Sequence, residues 1–169
     1  MIGKRITICC NLWLIAFMVS ILTPGCDEFS CKNGTLLVVH AKPKDWSDNV
    51  LTATSIEIEK GSTLFFSASG IWDIGLGSIG PNGKEDWCEC PVSKISGSGF
   101  KGNLGALIGR IGVHGEPFII GDKKTITAGE SGVLFLGSND NMAPCDGHNR
   151  GSCYKDNKGF LIVCIKFTN

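Results

Sequence analysis

Residues 55–70 read SIEIEKGSTLFFSASG. Ile56 and Ile58 point one way and Glu57 and Glu59 the other, the two-residue alternation of a half-buried strand. STLFFSASG (62–70) follows as a second strand closed by a turn residue. The same kind of segment recurs outward in both directions: TLLVVHAK (35–42), GALIGRIG (105–112), PFIIG (117–121), KKTITAG (123–129), GVLFLGS (132–138) and GFLIVCIKF (159–167). No stretch keeps a 3.6-residue apolar period over the length a helix needs. Short strands separated by Gly, Asn, Asp and Ser, in a chain with 23 glycines, predict an all-β fold, a small antiparallel β-sandwich. Residues 71–103 break the rhythm. They have little periodicity and hold Trp72 and Trp87, so they read as one long loop of the functional kind.

The first 25 residues read as a targeting segment. Lys4 and Arg5 precede an apolar run at 6–22, and TPGC follows, the order of a secretory signal. The apolar run is also at the lower limit for a membrane span, which leaves an uncleaved anchor as the second reading. The expected organisation is a signal over 1–25, a short tether over 26–34 and one domain over 35–169. A domain of that length buries roughly two-thirds of its unfolded-chain surface. The expected location is secreted or cell-surface.

The full chain has 16 basic and 16 acidic residues. Without Lys4 and Arg5 the remainder is slightly acidic. The absence of a basic stripe argues against nucleic acid and against electrostatic membrane binding. A membrane would be met only through a lipid anchor or the uncleaved signal.

Cys9 and Cys10 lie in the signal, and Cys26, Cys31, Cys88, Cys90, Cys145, Cys153 and Cys164 follow it. Export makes disulfides the default for these. Seven is odd. If Cys26 is the first mature residue and carries lipid, six can pair. Gly25 suits that reading and Thr23 does not. The other reading is an ordinary signal, with Cys26 paired to Cys31 and one free thiol elsewhere. Cys88 and Cys90, one residue apart, are expected to bond to two distant partners, with Cys31 and Cys164 as candidates. Asn33 in NGT is a glycosylation acceptor if the host is eukaryotic.

The most unusual stretch is SNDNMAPCDGHNRGSCYKDNKG (138–159). Asp140, Asp146, Asp156, Asn139, Asn141, Asn149 and Asn157 offer oxygen to a hard cation such as Ca2+, which takes about six to eight such ligands. The pattern is not an EF-hand, because Met142 and Gly151 stand where ligands would be needed. A solvated Asx-rich connection is the plain reading. Cys145 and Cys153 could close the loop as a disulfide, and with His148 they could instead hold zinc. GSGFKG (97–102) matches a dinucleotide fingerprint in letters alone, since it neither follows a clear strand nor opens a helix. His40, His114 and His148 are scattered, and no nucleophile motif accompanies them. No catalytic residue is assigned, and the chain is not read as an enzyme.

The ordered set IEIEKGSTLFFSASGIW, GPNG, GALIGRIG, FIIG, GVLFLGSND and DNKGFLIVCIKF resembles the landmarks of the PA-IL family of calcium-dependent galactose-binding lectins. The resemblance runs from Val38 to Phe167. It implies a jelly-roll sandwich of galactose-binding-domain type, a Ca2+ ion at one end, and a carbohydrate partner whose vicinal hydroxyls complete the ion's shell. By the same resemblance Asp140, Asp156 and Asn157 hold the ion by side chains, with the carbonyl of Cys153 and one near Trp72 or Asp73. Asp140 and Asn157 then also contact the sugar, and Trp72 and Trp87 are candidates to stack on its ring. Asp140 and Asp156 would be brought together by a hairpin between the last two strands. The chain departs from the family in a longer loop between Asp140 and Asp156. It also has KEDWCECPVS (84–93) where the family has a histidine and a glutamine after the GPxG turn. The rival reading is a secreted structural or interaction module with neither sugar nor calcium.

Overall fold

A computed structural model describes residues 29–42, 51–75, 77–91, 101–140 and 156–168, with the backbone course alone at 86–91 and 101. The signal region, Cys26, and the loop residues Cys145, His148 and Cys153 lie outside the described residues, as do the side chains of Trp87, Cys88 and Cys90. Among the described residues no helix is long and apolar enough to cross a membrane.

Ten strands follow one another: β1 (Thr35–His40), β2 (Thr52–Ile58), β3 (Thr63–Asp73), β4 (Ser78–Ile79), β5 (Asn82–Pro91), β6 (Lys101–Ile111), β7 (Phe118–Ile119), β8 (Lys123–Thr127), β9 (Gly132–Ser138) and β10 (Lys158–Thr168). They form two five-stranded antiparallel sheets. The first runs β1-β10-β3-β4, with β8 also on β3, and the second runs β2-β9-β6-β5, with β7 also on β6.

The expected all-β, two-sheet architecture is present, and the alternation explains it. Leu161, Val163 and Ile165 of β10 and Leu64 and Phe66 of β3 turn inward from the first sheet. Leu107 of β6 and Leu134 and Leu136 of β9 meet them from the second, in one continuous core. Each such fully buried side chain contributes about 1.5–3 kcal/mol relative to exposure. Ile58 is buried while Glu57 and Glu59 are exposed, as the alternation in residues 55–59 predicts.

Three expectations are corrected. Residues 71–103 are not one loop: β3 continues to Asp73, and β4 and β5 follow. β5, with the sequence NGKEDWCECP, lies at the end of the second sheet's strand order and pairs with β6 through an irregular register between Lys84 and Glu89. An edge strand is often polar and bulged because that blunts edge-to-edge association, and it then lacks the alternation that sequence reading detects.

Nor do β9 and β10 form a hairpin. β9 pairs with β2 and β6, whereas β10 pairs with β1 and β3. The connection between them passes from one sheet to the other.

The disulfide also differs from the expected pairings. Cys31 bonds to Cys164, with Cα atoms 5.5 Å apart and 133 residues of separation, so neither is a partner for Cys88 or Cys90, and Cys31 does not pair with Cys26. Cys164 alternates with Val163 and Ile165 and therefore faces out of the first sheet. The bridge ties the segment before β1 onto that outer face.

Two charged residues are buried among the described residues, Arg110 and Asp140. Arg110 of β6 is 4 % exposed, and its guanidinium carbon lies 4.8 Å from the ring centre of Phe135. Its Nε and Nη2 are buried with no hydrogen-bond partner among the described residues. Burial pulls its pKa below the usual arginine value.

Candidate functional site

The end of β9 and the start of β10 come together at one end of the sandwich although they belong to different sheets. The Ala41 carbonyl just after β1 joins them. Ser138 Oγ at the end of β9 donates to it at 3.2 Å, and Asn157 Nδ2 before β10 donates to it at 3.1 Å. Ala41 is itself held, its N–H donating to Gly159 O at 3.1 Å. All three residues are buried, so these bonds act where water competes little.

Asn139 is fixed to the second sheet. Its backbone exchanges hydrogen bonds with β6, donating to Ala106 O at 2.7 Å and accepting from Gly105 N at 2.8 Å. Its Nδ2 donates to Gly102 O and Asn103 O, each at 3.0 Å. Asp140 follows directly and is 6 % exposed. The backbone clamp on Asn139 therefore sets where the Asp140 carboxylate stands.

Asp156 stands at the other end of the long connection. Gly75, at φ +84°, lies against the Asp156 carboxylate, and a Cβ there would collide with Oδ2. Glycine is needed at Gly75 on both counts, the left-handed backbone and the close approach. Gly75 is held by Asp73, whose Oδ1 accepts from Gly75 N at 2.8 Å and Gly77 N at 3.0 Å. Asp73 thus shapes the turn that receives Asp156.

Trp72 is corrected from a sugar-stacking candidate to a core residue. It is 1 % exposed, and its indole N–H donates to Gly105 O at 2.9 Å. A ring enclosed on both faces cannot stack on a ligand. It forms part of the floor beneath this end of the sandwich and ties β3 to β6. Trp87, the other stacking candidate, has its side chain outside the described residues.

The oxygens at this end are amide and carboxylate oxygens. Asn157 Oδ1 and Asn139 Oδ1 are buried with no hydrogen-bond partner among the described residues. Among the described residues no three His, Cys, Asp or Glu side chains gather into a metal cluster. The donor chemistry suits a hard cation, for which amide and carboxylate oxygens are the ordinary ligands. Sequence reasoning named Asp140, Asp156 and Asn157 as candidates and did not name Ala41, Ser138, Gly75 or the clamp through Asn139, which the structure places around them. The Ala41 and Asn139 carbonyls act through the backbone, which leaves no mark in side-chain composition.

No protein-family model matches the chain, and no curated protein matches it. Among solved structures it is similar to the EclA N-terminal domain, a PllA-like lectin, with 22 % identity, coverage of 80 % of this chain and 98 % of that one, and a TM-score of 0.48.

Proposed function

We propose that the chain is a non-catalytic, calcium-dependent carbohydrate-binding protein whose site is the end of the sandwich at Asp140, Asp156 and Asn157. The observation that carries the reading is the buried Asn157 Oδ1. Its amide is oriented by Ala41 from the first sheet, and it stands close to Ser138 at the end of the second. A buried amide oxygen with no hydrogen-bond donor is costly unless a partner satisfies it.

Asp140 and Asn157 would hold the ion by side chains, with Asp156 beside them and the Cys153 carbonyl, outside the described residues, as a further ligand. Bound calcium would offer coordination positions to two vicinal hydroxyls of a sugar, and a galactose-like arrangement is the one the PA-IL resemblance implies. The chain's own part is to hold its acceptors still. Ala41 fixes the Asn157 amide, the Asn139 backbone clamp fixes Asp140, and the Asp73 turn presents Gly75 to Asp156. Fixed acceptors favour one stereochemistry of vicinal hydroxyls over another.

The test is a glycan array probed in calcium and again in EDTA. Binding of a defined glycan set that disappears with EDTA supports the proposal. The absence of glycan binding in both buffers contradicts it and favours an interaction module.

A further inference from the structure

β1 ends the strand order of the first sheet, and its outer edge has no strand partner among the described residues. Its sequence, TLLVVH, holds no charged residue, proline or glycine. It pairs with β10 from Thr35 to His40 without a register shift, and the Ala41 N–H extends the ladder by donating to Gly159 O. In an antiparallel pair, alternate residues exchange both backbone bonds with the neighbour. Counting back from Ala41, the residues Val39, Leu37 and Thr35 turn their N–H and C=O groups toward β10. Leu36, Val38 and His40 turn theirs the other way, into the open edge.

The other described edges are blunted. β2 breaks register against β9 between Ala53 and Glu57, and β5 breaks register against β6 between Lys84 and Glu89. β4 and β7 are two residues long, and β8 begins with Lys123 and Lys124. Bulges, short strands and lysine are the means by which a sheet edge is kept from pairing with another chain. β1 has none of them. The segment leading into it is held to the side of β10, where Cys31 bonds to Cys164 and Gly34 lies against Cys164 and Ile165.

A cleft of about 450 Å3 runs along the same edge. It is lined by Leu37, Val38, Val39 and His40 of β1, by Lys42, and by Thr52 and Leu136 of the second sheet. No residue of β10 lines it, so it lies on the open side of β1. A strand added beside β1 would cover this cleft and point every second side chain into it.

The sequence of β1 meets those requirements itself. A two-fold axis normal to the first sheet at Val38 sets Val38 opposite its own copy, Leu36 opposite His40 and Leu37 opposite Val39. Residues opposite one another then share a face of the joined sheet, as cross-strand neighbours must. The free backbone groups of Leu36, Val38 and His40 meet the free groups of His40, Val38 and Leu36. Leu37 and Val39 of each copy enter the cleft of the other. Val38, 57 % exposed, is covered by Val38, and no lysine, arginine or carboxylate enters the strand pair.

We infer that the chain pairs with a second copy of itself through β1, antiparallel and centred on Val38, so that one continuous sheet crosses an isologous dimer. Neither calcium nor sugar enters the inference.

The test is sedimentation velocity on the full chain over a wide range of concentration, joined to hydrogen exchange at both ends of that range. A dimer that dissociates on dilution is expected. The amides of Leu36, Val38 and His40 are expected to exchange severalfold more slowly in the dimer, while those of Leu37 and Val39 change little. Val38→Lys is expected to give a folded monomer, because like charges would face each other across the axis. Val113→Lys, at another exposed apolar residue away from β1, is expected to leave the dimer intact. Because Val38 meets Val38, an equimolar mixture of Val38→Lys and Val38→Asp is expected to pair again. A monomer at every concentration overturns the inference. So does a dimer that survives Val38→Lys, a mixture that stays monomeric, or protection that appears at β2 or β5 and not at β1.

Discussion

Asn157 Nδ2 donates to the Ala41 carbonyl at 3.1 Å across 116 residues of chain. The pairing decides which way the amide faces, since a carbonyl can only accept and the nitrogen must therefore point at it. Oδ1 is thereby turned elsewhere, buried and with no hydrogen-bond partner among the described residues. Asn157→Ala removes the anchor and the oxygen together. Ala41 O keeps its bond from Ser138, so the loss of stability in EDTA is expected to be about 1 kcal/mol. The larger effect is on metal response, and calorimetry should show calcium binding lost. Retained affinity would place the ion elsewhere.

Gly75→Ala tests the contact with Asp156. The left-handed backbone alone is expected to cost about 1 kcal/mol. The new methyl also meets the Asp156 carboxylate and must displace it. Denaturant melts should show the stability loss, and a calcium titration should show weakened affinity. Full affinity in a folded Gly75→Ala variant would remove Asp156 from the site.

Trp72 is predicted to matter for folding and not for ligand contact. Trp72→Phe keeps a ring in the core but leaves Gly105 O without its buried donor, at a cost of about 1–3 kcal/mol. Sugar affinity of the folded variant should match the parent. A selective loss of affinity, with stability unchanged, would return Trp72 to the binding surface.

The Cys31–Cys164 bridge closes a long loop, and such crosslinks act largely by limiting the unfolded chain. Cys31→Ser is expected to destabilise by about 2–5 kcal/mol, read from chemical denaturation. An unchanged midpoint would mean that the segment before β1 contributes nothing to stability.

The eight strands legible in the sequence are those with alternation or a β-branched apolar run, such as Ile56–Ile58 and Leu161–Ile165. β5 was not legible because its residues are polar and its pairing with β6 irregular. β4 is two residues long, too short to show a pattern. The separation of β9 and β10 into different sheets was also hidden. Local patterning says which side of a strand is buried, not which neighbour it pairs with. At the site, Asp140, Asp156 and Asn157 stood out as oxygen-bearing residues at the ends of a polar connection. The positions of Asn157 and Asp140 depend on the backbone of Ala41 and Asn139, which any residue type would provide. Trp72 was misread because a tryptophan in a non-periodic stretch looks the same in sequence whether it fills a core or faces solvent.

The most direct test of the central claim is the melting temperature of the purified chain in EDTA and in millimolar calcium, run beside Asp140→Ala. A ligand that binds only the folded state stabilises by RT ln(1 + [L]/Kd), about 2.7 kcal/mol at a hundredfold excess over Kd. The account predicts a rise of several degrees in calcium for the parent chain and none for Asp140→Ala. Identical parent curves in the two buffers, with no metal in the purified protein, would contradict it.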